Sequence, residues 1–399
     1  MATFDFHQLD RFYGSSTSIR RPREFTYFSF DDKHELRTLC TDSLSYYHPP
    51  VFNAPGTHAP PIDLSAGFDS FVQRDDGIDE HLDALLDTLQ AHEEQLLQDV
   101  QGGSVKIEDV RTKADIVTWR GMMTKILTAA FDMFNEFEMN ATCFQGTISF
   151  IEENNAAKAA RRTAQNNQKT PRGGAPQEMM QYWGYKFETL SVLPKPWAEC
   201  TRQEVEARDA QTVNNNAQYC SIVRTGIGAI SLIIAGEVDA VLGEKPDSPD
   251  DPIPWIELKT AAEQTGHPRE AVKFERKLLN YWAQSFLLAV PTIMVGFRTP
   301  DGFLTRIQEL STQKIPSQVK QGNRTWDGNV CINLTGAFLE ILKRTVIGDG
   351  VWRIRRKQGE KRIEVFKVEE VGTGSILKPS FKAHREKLRA LEISAALGK

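Results

Sequence analysis

Residues 230–243 read ISLIIAGEVDAVLG, residues 244–252 read EKPDSPDDP, and residues 253–260 read IPWIELKT. Two apolar, β-branched runs flank a connection rich in Pro, Asp and Ser, which predicts two strands joined by a loop. Side chains of a strand alternate between its faces. Glu237 and Asp239 therefore share one face of the first strand, and Glu257 and Lys259 share one face of the second. If the two strands pair, three carboxylates and one ammonium converge on a single patch. Carboxylates that close repel one another unless a cation neutralises them, and clustered oxygen ligands suit Mg²⁺ or Mn²⁺. The bland alternative is a surface hairpin whose charges face solvent. Against it, a solvated hairpin rarely interrupts a buried apolar run with Glu-x-Asp.

The chain has 399 residues, enough for a large core in one big domain or two smaller ones. Its composition, 40% hydrophobic and 25% charged, is that of an ordinary globular protein. A net charge of −5 gives no global basicity, so any nucleic-acid surface has to be local. Cys40, Cys143, Cys200, Cys220 and Cys331 include no CxxC, which argues against a zinc site and for a reducing compartment. The start, MATFDFHQLDRF, lacks the build of a signal peptide, and no apolar run approaches a membrane span. An intracellular, soluble protein without membrane contact is expected.

In chain order, short strands are expected at Phe25 to Phe30 and Ser43 to Tyr47, then a helix from about Ile78 to Gln90 with Leu82, Leu85, Leu86 and Leu89 on one stripe. A second helix is expected to start at Ala114-Asp115, with Asp115 as cap and Met122, Met123, Ile126, Leu127 and Ala130 on its apolar face. Residues 154–178 are polar, basic and punctuated by Gly and Pro, and read as a mobile loop. QYWGYKFETL reads as a strand, with Tyr182, Gly184, Lys186 and Glu188 on one face. Beyond the Glu-x-Lys strand come a helix (Arg269 to Val290), a hairpin turning at Asp301-Gly302, a helix (Leu334 to Thr345) and a last hairpin, VWRIRRKQGEKRIEVFKV. From Lys378 the chain is basic and weakly helical. This pattern predicts an α+β (mixed α/β) domain over residues 1–377 with a basic tail at 378–399.

Several further residues invite two readings each. Glu188 is either a third metal ligand from an adjacent strand or an exposed edge carboxylate, and Gly184 could admit a close backbone or substrate approach. Arg120 sits just inside a helix N-terminus, where a cation is disfavoured unless an anion joins it; a structural carboxylate and a phosphate both serve. Lys273, Lys277, Asn280 and Gln284 form one polar stripe, either a solvated face or a face that carries Gln284 into the site. Arg161-Arg162, Arg353 to Lys357 and Lys361-Arg362 are either solvated charge or patches for phosphates or nuclear import.

An acidic strand end followed by Glu-x-Lys on a later strand looks like the PD-(D/E)xK nuclease core. Arg120 in TWRG, Gly184 to Glu188 (GYKFE), Glu237-Val238-Asp239, Glu257-Leu258-Lys259 and Gln284 in NYWAQSFL, taken in that order, resemble the DXO/Rai family of eukaryotic RNA 5′-end decapping nucleases. The resemblance spans about Phe25 to Val368. It implies two mixed β-sheets flanked by helices, with a deep pocket between them. It also implies that Glu188, Asp239, Glu257 and the main-chain carbonyl of Leu258 hold one or two Mg²⁺ or Mn²⁺ ions, with Glu237 supporting the water or a second metal. Lys259 and Gln284 would then position water and scissile phosphate, and Arg120 would bind substrate phosphate.

The family removes defective RNA 5′ ends: unmethylated caps, a 5′-triphosphate as pyrophosphate, or the NAD cap. Members of its fungal nuclear branch stabilise a nuclear 5′–3′ exoribonuclease, so a nuclear site of action is implied. Two other readings stay open on the sequence: a non-catalytic scaffold that stabilises the exoribonuclease, and a DNA-cleaving PD-(D/E)xK enzyme. An intact carboxylate set with Lys259 speaks against a dead site.

Overall fold

The strand Ile230–Glu237 lies in the interior of a ten-stranded mixed sheet, counted among the described residues. It runs antiparallel to Gln218–Ile227 and parallel to Ile116–Trp119. Both of its faces are covered, Leu232 and Ile234 on one side and Ile233 and Ala235 on the other, which is why the run is apolar without alternation. The computed structural model describes residues 1–50, 61–145, 148–166, 175–248 and 250–397.

After Glu237 the chain changes sheets. Val238 is buried and its N–H donates to the Tyr219 carbonyl, which anchors the exit from the large sheet. Ala240–Val241 then enters a seven-stranded sheet, antiparallel to Trp255–Ala262 and parallel to Tyr46–Tyr47. The expected pairing of the two apolar runs is therefore confined to Ala240↔Ile256 and Val241↔Trp255. Most of the first run belongs to one sheet and the second run to the other. Trp255–Ala262 continues parallel to Thr292–Arg298, which turns back through Asp301-Gly302 into Phe303–Ser311.

Apolar residues from both sheets meet in one core. Leu232 and Ile234 of the large sheet and Ile293, Val295 and Phe297 of the small one pack with the helices Arg120–Thr128, Pro268–Leu287 and Gly328–Thr345. A second cluster lies under Asp83–Gln101 and Pro379–Ala396 on the outer face of the large sheet. A third joins Tyr182, Trp183 and Phe187 to Leu258 and Met294 on the outer face of the small sheet. The architecture is thus the expected α+β one, two mixed sheets with helices between and around them. Among the described residues, no helix is long and apolar enough to cross a membrane.

Several local expectations need correction. QYWGYKFETL is not a strand but part of the helix Gln177–Ser191, because Tyr182, Trp183, Phe187 and Leu190 form one helical stripe that the small sheet buries. Lys186, expected beside Glu188, instead points away and donates to the Asp209 carbonyl. Asp115 caps no helix. It accepts from the Ser231 N–H and hydroxyl ahead of the strand Ile116–Trp119, and the helix begins only at Arg120. The stretch read as a mobile loop opens with the helix Asn155–Asn166, while residues 167–174 lie outside the described residues. The first long helix is Asp83–Gln101, later than expected, and the stretch read as a basic tail folds as Pro379–Ala396 with Phe381, His384, Arg385 and Leu388 buried.

Candidate active site

The change of sheets builds the site. Glu237 is the last residue of its strand in the large sheet, and Asp239 stands immediately before Ala240–Val241 in the small one. Two carboxylates two residues apart thereby reach the seam between the sheets. Asp239 Oδ2 accepts the Leu258 N–H at 2.6 Å, tying the crossing to the Glu-x-Lys strand. Glu237 Oε2 accepts from Gln218 Nε2 at 3.1 Å. On Trp255–Ala262, Glu257 is wholly buried, at 0% exposure. Its Oε1 lies 2.6 Å from Lys259 Nζ and its Oε2 accepts from Arg120 Nη1 at 3.1 Å. Glu257 Oε1 is thus satisfied by the Lys259 ammonium and Oε2 by the Arg120 guanidinium.

Two glycines make the close packing possible. A Cβ at Gly236 would lie 2.8 Å from Arg120 Cβ, and one at Gly296 would lie 2.8 Å from the Phe187 ring. The first lets the Arg120 helix start against the strand end. The second lets helix Gln177–Ser191 settle on the small sheet and carry Glu188 in. Gly184, by contrast, has open space around it and permits no close approach. We expect Gly236→Ala to lose about 1–3 kcal/mol of stability through overpacking. Displacement of Arg120 should also lower the hydrolysis rate by up to about 10²-fold. Thermal melting and kcat check both; a variant active at the wild-type rate would show that Arg120 need not sit there.

The electrostatics are those of a crowded acidic seam. Burial, followed by Glu257, pushes the Asp239 carboxyl up to about 7. Burial, then Asp239, raises Glu188 well above the usual carboxylate range, and burial also raises Glu237. For Glu257 burial is again the largest influence and opposes ionisation, but Lys259 and Arg120 together outweigh it and hold the group low. Lys259 is raised: burial works against its charge, and Glu257, Asp239 and Glu188 overcome it. Three carboxyls are thus held towards protonation while one is kept ionised by two cations.

The structure brings together six of the residues singled out in the sequence: Arg120, Glu188, Glu237, Asp239, Glu257 and Lys259. Leu258 joins them through its N–H. Gln284 is half-buried, and hydrogen-bonds to none of the carboxylates among the described residues. Its helix face is that of Lys277 and Tyr281, both of which donate to the Thr260 carbonyl. Arg120 takes the carboxylate of its two expected partners. Most of the other arginine patches prove to be internally paired: Arg161 with Glu153, Arg353 with Glu138, Arg355 with Glu364 and Arg362 with Glu360. Arg356 is buried on main-chain carbonyls, and the side chain of Arg162 lies outside the described residues.

Among the described residues, no three His, Cys, Asp or Glu side chains converge tightly enough to grip an ion in this arrangement. Glu257 is drawn to Lys259 and Arg120 instead. The donor set still fits a hard divalent cation. All its donors are oxygens, and Glu188, Glu237 and Asp239 are held towards protonation by burial and by one another or Glu257, a crowding that a divalent cation would relieve.

Gln218 and Arg74 escaped the sequence reading. Gln218 donates to Glu237 and accepts from Arg74 Nη1 at 3.3 Å, and no local pattern announces that strand pairing. Gly236 carried a usable signal, because glycine inside an apolar strand marks close backbone approach.

A carboxylate at a strand end facing Glu-x-Lys on a strand of a mixed sheet, with a helix supplying a further acid, defines a nuclease of the PD-(D/E)xK class. Residues 20–382 match the RAI1-like PD-(D/E)XK nuclease family, and the chain belongs to that family. It is 53% identical over 380 residues to the decapping nuclease RAI1 of Aspergillus fumigatus, covering 95% of this chain and 97% of the relative. The fold superposes on Candida albicans Rai1 in complex with pU5 and Mn²⁺ with a TM-score of 0.82, at 26% identity, covering 94% of this chain and 97% of the other. Scheffersomyces stipitis Rai1, in complex with (3′-NADP)⁺ and a calcium ion, gives 0.81 at 28% identity, with 94% and 97% covered. The chain is a decapping nuclease acting at RNA 5′ ends.

Proposed function

We propose that the seam between the sheets hydrolyses RNA 5′ ends with one or two Mg²⁺ or Mn²⁺ ions. The supporting observation is the convergence of Glu188, Glu237, Asp239 and Glu257 with Lys259 and Arg120 where the chain passes between sheets. Glu188, Asp239, Glu257 and the Leu258 carbonyl would hold the metal, with Glu237 supporting the attacking water or a second ion. A bound divalent cation supplies Lewis acidity at the phosphate and lowers the pKa of water.

The chain's own groups do the rest. Lys259, held charged by its carboxylate neighbours, orients the water and the scissile phosphate. Arg120 exchanges part of its hold on Glu257 for substrate phosphate, for which a guanidinium offers several donors in a fixed fork. Gln284 adds a neutral donor and acceptor from the facing helix. Asp239, whose carboxyl titrates near neutrality, can release a proton as the site fills.

The substrates read here are a 5′-triphosphate released as pyrophosphate, an unmethylated cap and an NAD cap. The setting is nuclear RNA 5′-end quality control, with a 5′–3′ exoribonuclease as partner. The test incubates purified protein with RNA carrying each of these three 5′ ends, labelled at the terminus, with Mn²⁺ and with excess EDTA. Release of pyrophosphate, cap or nicotinamide nucleotide only with Mn²⁺ is expected; no release from any of the three would contradict the reading.

A further inference from the structure

The polar stripe of helix Pro268–Leu287 meets a run of cations beside the carboxylate seam. Lys277 Nζ donates to the Thr260 carbonyl at 2.7 Å, and the Tyr281 hydroxyl donates to the same carbonyl at 2.9 Å. That carbonyl lies one residue beyond Lys259. Arg298 reaches the same strand end from the neighbouring strand, in register with Ala262. Its guanidinium carbon lies 4.1 Å from the centre of the Trp183 ring, and its Nε is buried without a hydrogen-bond partner.

These groups share one sign of charge. Burial, then Arg298, Lys273 and Lys259, press the Lys277 ammonium down to about 8, and no carboxylate contributes. Burial likewise lowers Arg298. Among the described residues, none of Lys273, Lys277 and Arg298 forms an ion pair. Glu263 is next to Arg298 through its backbone, but its carboxylate is committed to Thr305 and Arg306. Lys277 is exposed to solvent, and Arg298 is half-buried with its Nε enclosed. A partly enclosed cation such as Arg298 costs stability without a counter-charge unless an anion completes it, and the nearby Lys277 adds repulsion that an anion would relieve. Arg120 and Lys259 have that partner in Glu257; Lys277 and Arg298 do not.

We propose that Lys277 and Arg298 form a phosphate subsite that grips the RNA chain beside the scissile linkage, with Lys273 adding long-range attraction. The inference rests on the reading that RNA 5′ ends are the substrate. From Lys259 to Ala262 is three residues, roughly 10 Å of strand, a short step for a nucleotide chain held by its end at the carboxylates. A guanidinium and an ammonium grip phosphate oxygens without reading bases, so the subsite adds affinity rather than sequence preference.

The test compares wild type with Lys277→Gln/Arg298→Gln and with Lys277→Arg, using binding of a 5′-monophosphorylated pentanucleotide in Mn²⁺ over a range of salt. In the double variant the Kd should weaken about 10–100-fold, and the salt slope of binding should shrink by about one to two. Mn²⁺ affinity should stay at the wild-type value, Tm should be equal or higher because like charges have been removed, and Lys277→Arg should retain binding. A Kd and slope unchanged in the double variant would overturn the subsite. So would a loss confined to free NAD and nucleoside triphosphate, which would assign these cations to the terminal group. Wild-type protein that acts on no 5′-modified RNA would remove the substrate reading, and this inference with it.

Discussion

Asp239→Asn and Glu257→Gln should both reduce hydrolysis by about 10³-fold or more, the ~4 kcal/mol expected of a metal-ligating carboxylate, yet move stability in opposite directions. Asp239 is buried, accepts one N–H from Leu258, and is pushed up to about 7 by burial and by Glu257. At pH 8 its charge is unfavourable in the metal-free protein. Asparagine keeps an acceptor for Leu258 and removes that charge, so the metal-free melting temperature should be unchanged or higher. Glu257 is the counter-ion of Lys259 and Arg120 at 0% exposure. Glutamine there leaves two recessed cations short of a partner, a loss of about 3–5 kcal/mol. Melting curves without metal, alongside single-turnover rates, check the pair. Equal destabilisation by both variants would mean that Glu257 does not carry the charge balance of the seam. Retained hydrolysis in both would place the chemistry elsewhere.

Removing metal should abolish hydrolysis altogether, and adding Mn²⁺ should raise the melting temperature by an amount that depends on pH. A ligand that binds only the folded state at 100 times its Kd stabilises by about 2.7 kcal/mol. The pH dependence follows from Asp239, whose carboxyl is raised from 3.8 to about 7 on folding. Between those values the folded protein holds a proton that the unfolded chain has lost. The stability contributed by this group in the metal-free protein therefore declines as pH rises through that window. Mn²⁺ has to displace the same proton. Its stabilising shift should be small near pH 5, grow towards pH 7 and level off above it. Glu257, held low, contributes in the opposite sense, with stability present above its unfolded pKa and lost as pH falls through the lower folded value. Differential scanning fluorimetry at matched Mn²⁺ across pH 5–8.5 checks the trend. A shift that is flat with pH, or largest at pH 5, would contradict the assignment of Asp239 as ligand.

The parts of the site carried by local pattern were legible in the sequence, and the parts created by sheet topology were not. Glu237 and Asp239 inside an apolar run, and Glu257 and Lys259 on one strand face, follow from alternation alone. Arg120 was legible as a residue near a helix N-terminus from the apolar spacing of Met122, Met123, Ile126 and Leu127, but the helix start was placed too early, at Ala114-Asp115, because the β-branched Ile116–Trp119 strand runs straight into the helix. The passage of the chain from one sheet to the other at Val238 has no local signature, since a strand that continues and a strand that changes sheets alternate alike. The sequence therefore supports two strands that could pair directly, and it hides that most of the first belongs to another sheet. The GYKFE run failed for a different reason. Its aromatic residues satisfy both periods, and only the surface of the small sheet, unknown beforehand, selects the helical stripe of Tyr182, Trp183, Phe187 and Leu190. Glu188 was thus picked for the right neighbourhood on the wrong element. Likewise, Arg353 and Arg355 look like a phosphate patch in one dimension and are occupied by Glu138 and Glu364 in three.

The site is recessed and suited to a chain terminus. With Glu257 fully buried and the side chains of Asp239 and Arg120 only 11% and 15% exposed, the middle of a strand has little means of reaching the carboxylates. The most direct measurement offers circular single-stranded RNA and a linear copy bearing a 5′-triphosphate to the same protein in Mn²⁺. Pyrophosphate released from the linear RNA with the circle intact is the predicted result, whereas cleavage of the circle at a comparable rate would contradict it.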